Sequence, residues 1–286
     1  MRGARIPILS SIGELAAGSD AWIVDIWGVM HNGAEAHAKA CDACRRFRAG
    51  GGRVALLSNA PRPFSAVARQ LDALGVPRAA YDVGITSGDM TRDMLETTMA
   101  SGGPVLHVGP ERDLGLFAGL NVRLADVEQA ATVVCSGLFD DTRETPDDYA
   151  PLFGRLLARR VPMICANPDI KVERGSRLVY CAGALAQAYA ARGGKVVYAG
   201  KPHRAIYRRT LRALAGIGGR GLDNERVLAI GDGVDTDLAG AHAAGLRSAF
   251  IASAVHLPEG LSARALAALF EHRPFAPVAA LPALAW

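Results

Sequence analysis

The 286-residue sequence has little of several features that mark specialised protein classes. No apolar run approaches the roughly 18 residues of a membrane-spanning helix, so we expect no integral membrane protein. The formal net charge is only +4, and the arginines are scattered over many predicted helices instead of forming one basic block. Nucleic-acid binding is therefore not indicated. The amino-terminal stretch lacks the apolar core of a signal peptide, which predicts a cytoplasmic protein.

Cysteine is also scarce, and its placement points away from disulfides. The chain has five cysteines, and three of them lie in strand-like apolar runs where buried reduced thiols are common: Cys135, Cys165 and Cys181. Cys41 and Cys44 form a Cys-x-x-Cys pair, with His37 four residues before Cys41. No second ligand pair follows at zinc-site spacing, so a metal or redox role is disfavoured.

What the sequence does contain is an alternation of short apolar runs with amphipathic segments. We predict buried strands at residues 21–24, 53–59, 195–199, 227–230 and 247–252, with helices between them. This order is typical of a parallel sheet with right-handed crossovers, an α/β fold. We expect 247–252 to be the last strand, the tail through Trp286 to pack over the surface, and Pro202 to occupy the first position of a helix.

The middle of the chain repeats the pattern less regularly. Strand candidates lie at residues 105–108, 132–136, 162–166 and 178–181, separated by helical or loop segments such as 147–160. This predicts a second, smaller α/β unit inserted into the first. We place the core at residues 1–83 and 198–286 and the inserted domain at 84–197.

Polar side chains follow four of the predicted strands: Asp25, then Ser58 with Asn59, then Lys201, then Asp232 with Asp235 and Asp237. Each has an ordinary alternative, because such residues also cap helices, form turns or lie in solvent. In a parallel sheet, however, all four strand ends face the same edge, so these groups are expected to converge. Four polar sets at the ends of four strands favour one functional site over four separate helix caps or turns.

Such a set is suited to phosphoryl chemistry. Carboxylate oxygens at strand ends suit Mg²⁺, which binds one or two protein carboxylates and substrate phosphate. A carboxylate such as Asp25 can attack phosphorus to form an aspartyl-phosphate that water hydrolyses. Ser58 and Asn59 can hold phosphoryl oxygens, and Lys201 can offset the crowded negative charge.

With these residues in place, the chain resembles the haloacid dehalogenase-like superfamily of phosphohydrolases. Four segments resemble its motifs in the same order: DIWGV at 25–29, LLSN at 56–59, Lys201 in GKP, and GDGVDTD at 231–237. The long insertion, with TSG at 86–88 and ANPD at 166–169, resembles the class IIA cap of the p-nitrophenylphosphatase, phosphoglycolate and nucleotide phosphatase branch. The resemblance implies a Rossmann-like parallel-sheet core with a smaller α/β cap domain, and a small phosphorylated substrate selected by that cap.

The resemblance also implies roles for individual residues. Asp25 would be the nucleophile and a ligand of Mg²⁺, Asp232 would be the second metal carboxylate, and Trp27 would contribute its backbone carbonyl. Asp237 would be a further metal ligand or an acid beside the metal ligands. Lys201 would act in catalysis beside Asp25. Three residues would contact the substrate: Ser58, Asn59 and, in the cap motif, Asn167. The oligomeric state is left open, with a homodimer as one option.

Trp27 is where the chain departs from the family pattern. The family normally has a second aspartate here, which protonates the leaving oxygen and then activates water, whereas an indole N–H cannot exchange a proton usefully. Loss of general acid–base catalysis typically costs about 10²–10⁴-fold in rate. Three hypotheses follow: a slow or selective phosphatase, with His31 as a replacement acid; a phosphometabolite-binding or regulatory protein; and, ranked last, a scaffold.

Overall fold

A computed structural model of the chain describes residues 5–98, 103–174, 177–219 and 221–286. In chain order its strands are β1 (Ala21–Asp25), β2 (Arg53–Ser58), β3 (Val83–Thr86), β4 (Val105–Val108), β5 (Thr132–Cys135), β6 (Met163–Cys165), β7 (Lys171–Arg174), β8 (Arg177–Tyr180), β9 (Val196–Tyr198), β10 (Val227–Gly231), β11 (Arg247–Ile251) and β12 (Ala279–Leu281). The α-helices are α1 (Gly13–Ala16), α2 (Ala38–Ala49), α3 (Phe64–Ala73), α4 (Ser87–Thr98), α5 (Ala150–Ala158), α6 (Ala182–Ala191), α7 (Arg204–Ala215), α8 (Ala239–Ala243) and α9 (Ala263–Phe270).

The chain divides into two compact units. The first contains Met1–Ser58, Ala68–Ile85 and Lys201–Trp286, and the second contains Asn59–Val67 and Thr86–Gly200. The sequence-based assignment of 1–83 and 198–286 to a core domain and 84–197 to a cap domain stays a prediction.

A six-stranded sheet forms the first unit, in the order β12-β11-β10-β1-β2-β3. The pairings of β1 with β10 and β2, of β10 with β11, and of β11 with β12 are all parallel. All five residues of β1 are buried, as expected for a central strand covered on both faces. The predicted α/β fold with a parallel sheet is confirmed.

The carboxyl-terminal part of this sheet differs from the prediction. A further strand, β12, pairs with β11 through Ala279, Ala280 and Leu281, which are all buried, so β11 is not the last strand. The Trp286 ring lies 6.4 Å from that of Trp22 and is 42% exposed. A three-residue strand has no readable periodicity, and therefore the sequence offered no signal for it.

Other elements were also misjudged from the sequence. Helix α7 begins at Arg204 and leaves Pro202 before the helix. The segment 147–160, predicted as helix or loop, contains a 3₁₀ turn, Pro146–Tyr149, followed by α5. Strands β3 and β7 and helices α4 and α6 had no predicted counterpart. Helix α6 is largely buried and rich in alanine, so it lacks the polar face on which a periodicity argument depends.

The second unit has a parallel four-stranded sheet in the order β4-β5-β6-β9 and an antiparallel hairpin of β7 and β8. Contrary to our expectation, the strand predicted at 195–199 is therefore not part of the six-stranded sheet. A short apolar run does not show which sheet it joins. Its hydrophobic core contains the aromatic side chains of Tyr149, Phe153 and Tyr189. It is therefore an α/β unit with a core of its own.

All five cysteines are free and buried. Burial raises the pKa of the Cys44 thiol, which favours an inert, protonated side chain.

Among the residues that the structure describes, no helix is both long enough and apolar enough to cross a membrane.

The stack of Trp22 on Phe47 anchors β1 to α2, with ring centroids 3.9 Å apart and an interplanar angle of 1°. Trp22 is fully buried, so we expect Trp22→Ala to lower the free energy of unfolding by about 3–5 kcal/mol. Urea unfolding followed by circular dichroism measures this loss. Trp286→Ala is the matched control, because its ring is partly exposed and should cost much less. Equal losses in both variants would contradict the assignment of Trp22 to the core.

Candidate active site

The carboxyl ends of β1 and β10 bring three carboxylates together in the first unit. Asp25 is the last residue of β1, Asp232 follows β10, and Asp237 lies in the π-helical turn Val234–Leu238. One oxygen from each of the three lies within 4.8 Å of one from each of the others. Of the side chains that were expected to converge, these three carboxylates are adjacent. Asp235, which was expected to join them, is instead exposed and forms an ion pair with Arg273.

Lys201 bridges two of these carboxylates. Its Nζ donates hydrogen bonds to Asp25 Oδ1 at 2.5 Å and to Asp237 Oδ1 at 2.7 Å, and it lies 3.4 Å from the Leu57 carbonyl oxygen. Burial by itself lowers the pKa of Lys201, but the charges of Asp237 and Asp25 outweigh that effect and raise it well above its usual value. The side chain is therefore a permanent ammonium group.

The carboxylates outnumber the cation that faces them. Burial, followed by the negative charge of Asp237, raises the pKa of Asp25 well above its usual value, although Lys201 opposes the shift. These three carboxylates and the Lys201 ammonium group together carry a net charge of −2 when all four are ionised. A divalent cation with oxygen ligands would neutralise this charge, so the donor set fits Mg²⁺ or Ca²⁺.

Two glycines make room for this cluster. A Cβ atom at Gly28, where φ is +79°, would lie 2.5 Å from Asp232 Oδ2. A Cβ atom at Gly231 would lie 2.3 Å from Asp237 Cγ. Sequence reasoning quoted both glycines within motifs but gave them no role, although a glycine beside an acidic strand end was the available signal.

Trp27 lies in the loop after Asp25, where its indole ring packs on the loop and takes no part in acid–base chemistry. The Trp27 side chain is 38% exposed, and its ring meets the His31 ring edge-on with centroids 5.3 Å apart. A Cβ atom at Gly33 would lie 2.4 Å from Trp27 Cη2, so the indole is also packed against the loop backbone. The use of the Trp27 carbonyl as a metal ligand stays a prediction.

His31 has a structural contact that competes with a role as replacement acid. Its Nδ1 accepts a hydrogen bond from the Gly33 N–H at 2.9 Å, which requires an unprotonated Nδ1. Burial lowers the pKa of His31, with a smaller contribution from His37, and this also favours the neutral imidazole. The structure therefore favours a turn-stabilising role for His31 over that of a general acid.

The predicted substrate-binding residues are divided between the two units. Ser58 is the buried last residue of β2, in the first unit. Asn59 begins the second unit, where its Nδ2 donates to Asp169 Oδ1 at 2.8 Å. Asn167 Oδ1 accepts the Asp169 N–H at 3.1 Å. Contact of these three residues with substrate stays a prediction.

Ser87 and Gly200 lie next to Asn59 in the second unit, and neither of them was identified from the sequence as a site residue. Ser87 Oγ donates to Asn59 Oδ1 at 3.3 Å. A Cβ atom at Gly200 would lie 2.0 Å from Ser87 Oγ and 2.3 Å from Asn59 Oδ1, so only glycine fits. Gly200 directly precedes Lys201, and this adjacency was the signal in the sequence.

The candidate metal-binding group among the described residues does not include Cys41 or Cys44. Across the described ranges, Asp25, Asp232 and Asp237 are the one group of three or more histidine, cysteine or acidic side chains close enough to hold an ion. Cys41 and Cys44 are buried residues of α2.

Comparison with known proteins places this geometry in context. Residues 22–123 match the sequence model described as haloacid dehalogenase-like hydrolase, and residues 198–280 match one described as HAD-hydrolase-like. A crystal structure of a haloacid dehalogenase-like family hydrolase from Brucella suis is 44% identical, with a TM-score of 0.83, and the match covers 96% of this chain and 99% of that one.

Two further matches come from Mycobacterium tuberculosis. A curated D-glycerol 3-phosphate phosphatase is 29% identical over 249 residues, which is 85% of this chain. The chain spans 65% of the length of that relative. A crystal structure of a glycerol phosphate phosphatase in complex with calcium is 26% identical, with a TM-score of 0.63, covering 83% of this chain and 67% of that one.

The raised pKa of Asp25 predicts a stability effect of known sign. A folded-state pKa above the unfolded value means that ionised Asp25 costs stability, and the cost grows as pH rises through and above the unfolded pKa. We expect Asp25→Asn to melt at a higher temperature than the wild type in EDTA at pH 7, with the gap closing toward pH 4. A gain of 1 kcal/mol corresponds to about 2–4 °C in domains of about 150–250 residues.

Asp20→Asn is the matched control for this experiment. Asp20 lies just before β1, at its other end, and its hydrogen bond with Arg226 lowers its pKa, so its replacement should lower the melting temperature slightly at pH 7. An Asp25→Asn variant that melts below the wild type in EDTA would show that ionised Asp25 is stabilised by its surroundings.

Proposed function

Since the chain belongs to the haloacid dehalogenase-like hydrolase family, as its four motifs indicated, we propose that it is a phosphatase that hydrolyses phosphoric monoesters of small metabolites. The observation that carries the proposal is the buried Lys201 ammonium group bonded to Asp25 and Asp237, with Asp232 beside them. The mycobacterial relatives named as glycerol phosphate phosphatases support the substrate class.

In the proposed reaction Asp25 is the nucleophile. Its free carboxylate oxygen attacks phosphorus, the bond from phosphorus to the leaving oxygen breaks, and the electron pair departs with that oxygen. Water then attacks the aspartyl-phosphate, releasing inorganic phosphate and a proton and restoring the Asp25 carboxylate. Lys201 orients Asp25 through its hydrogen bond and offsets the charge of the incoming phosphoryl group. Ser58 holds a phosphoryl oxygen.

Mg²⁺ is the proposed cofactor, held by Asp25, Asp232, Asp237 and the Trp27 carbonyl. A bound divalent ion supplies positive charge that stabilises phosphoryl oxygens in the transition state. The support is the excess of carboxylates over ammonium groups in the cluster, together with the calcium complex of the mycobacterial relative.

The second unit is proposed to select the substrate. Asn59 and Asn167 are the candidate substrate contacts, and both are ordered by hydrogen bonds that involve Asp169. A homodimer and a cytoplasmic location stay predictions.

Trp27 makes the proposed enzyme selective for its leaving group. Alkyl phosphates leave as strongly basic alkoxides and depend on protonation, whereas aryl and acyl phosphates depend on it least. With Trp27 in the place of an acid, turnover of aryl phosphates should be favoured. The same observation supports the second candidate function, a phosphometabolite-binding protein that retains the metal and phosphate site without turnover.

Asp25→Asn is expected to lower kcat for p-nitrophenyl phosphate in the presence of Mg²⁺ by more than about 10³-fold, because an amide cannot act as the nucleophile. Release of nitrophenolate measures the rate. Asp20→Asn, at the other end of the same strand, should keep wild-type activity. Undiminished activity in Asp25→Asn would reject the nucleophile assignment.

Trp27→Asp is expected to raise kcat/KM for glycerol 3-phosphate by about 10²-fold and that for p-nitrophenyl phosphate much less, since only the alkyl leaving group needs a proton. Phosphate release from both substrates checks the difference. His31→Ala tests whether His31 donates a proton to the leaving group. A loss of activity that is confined to the alkyl phosphate would show that it does. Activity near background in wild type and Trp27→Asp alike would favour the binding protein.

A further inference from the structure

Tyr207 on α7 makes a buried contact with the acidic turn. Its side chain is 1% exposed, and its hydroxyl donates to the backbone carbonyl oxygen of Asp237 at 2.9 Å. We infer that Tyr207 is a positioning residue, which holds the Asp237 backbone so that the carboxylate points at Lys201 and the proposed metal. The inference rests on the proposed function and adds to it a residue outside the motifs.

The turn that carries Asp237 has irregular backbone hydrogen bonding, and the contact with Tyr207 can stabilise it. Gly233 O accepts hydrogen bonds from both Asp237 N at 2.9 Å and Leu238 N at 3.1 Å, so the turn is wider than an α-helical one. Turns of this type are frequent at functional sites. Widening changes the direction in which Asp237 projects from the helix, and a bond to its carbonyl group can fix that direction.

Asp237 is thereby bound at three points. Its Oδ1 accepts from Lys201 Nζ at 2.7 Å, and its Oδ2 accepts from the Gly233 N–H at 3.1 Å. The Tyr207 hydroxyl binds the carbonyl group of the same residue. The first two contacts set the rotation of the carboxylate, and the third sets the backbone from which it projects.

Gly240 on α8 makes room for the tyrosine. A Cβ atom there would lie 2.4 Å from Tyr207 Cε2 and 2.7 Å from its hydroxyl oxygen, and Gly240 itself is buried. Any larger residue at position 240 would displace the ring and its hydroxyl. Tyr207 and Gly240 thus form a complementary pair that packs α7 against α8 next to the acidic turn.

The test is Mg²⁺ binding to metal-free protein, measured by calorimetry with Mg²⁺ alone. Tyr207→Phe keeps the ring and removes the hydroxyl, and we expect a Kd weaker by about 10-fold, as for residues that orient metal ligands. The Mg²⁺ concentration for half-maximal hydrolysis should rise by a similar factor, and saturating Mg²⁺ should restore kcat. Gly240→Ala should shift both quantities in the same direction.

Thr210→Val is the matched control. Thr210 lies on the same helix, is fully buried, and donates its hydroxyl to the Ile206 carbonyl at 2.9 Å. Its replacement removes one buried hydroxyl from α7 without touching Asp237, so Mg²⁺ affinity should stay at the wild-type value even where the melting temperature falls.

Two results would overturn the inference: wild-type Mg²⁺ affinity in Tyr207→Phe while Asp237→Asn binds poorly, or an equal loss of affinity in Thr210→Val. Either result leaves the proposed hydrolysis untouched. The proposed function and the role of Tyr207 are tested by different measurements. Hydrolysis by Asp25→Asn tests the proposed function, whereas metal binding tests the role of Tyr207.

Discussion

The ion pairs of Lys201 with Asp25 and Asp237 are the interaction on which the rest of the candidate site depends. Burying the Asp25 and Asp237 carboxylates costs several kcal/mol per ion unless each finds a partner. One ammonium group serves both of them, at 2.5 and 2.7 Å. Burial, followed by the negative charge of Asp237, raises the pKa of Asp25, and the excess of carboxylates over ammonium groups in this cluster suits a divalent cation. The unfavourable charge repulsion in the folded protein and the proposed affinity for a metal ion therefore have the same origin.

Sheet register brings the ends of three strands of the first unit to one place. Val24 of β1 pairs with Ile230 of β10, and Asp25 pairs with Leu57 of β2, so the three strands end side by side. Asp232 follows β10 directly, and Gly28 removes the Cβ atom that would collide with its carboxylate. A core of apolar strands, anchored by Trp22, thus supports a polar edge that would be unstable without it.

Much of this was readable from the chain. Apolar runs ending in polar residues indicated β1, β2 and β10, because a strand buried on both faces has a nearly continuous apolar sequence. The pattern failed for β12, which is only three residues long, and for α6, which has no polar face. It also gave no hint that His31 Nδ1 is engaged by the Gly33 N–H, since that contact depends on the folded path of a loop.

The amino-acid sequence by itself determined the order along the chain of the strands that it predicts, the residue types at their ends and the family to which the protein belongs. Tertiary structure decided which of those residues touch: the bridging position of Lys201, the seating of Tyr207 against Gly240, and the bonding of Asn59 to Asp169. The physical reason is that local sequence encodes the backbone preference and burial of each segment. Lateral register and side-chain contacts instead arise from packing between segments that are far apart in the chain, such as Asp25 and Lys201, which are 176 residues apart.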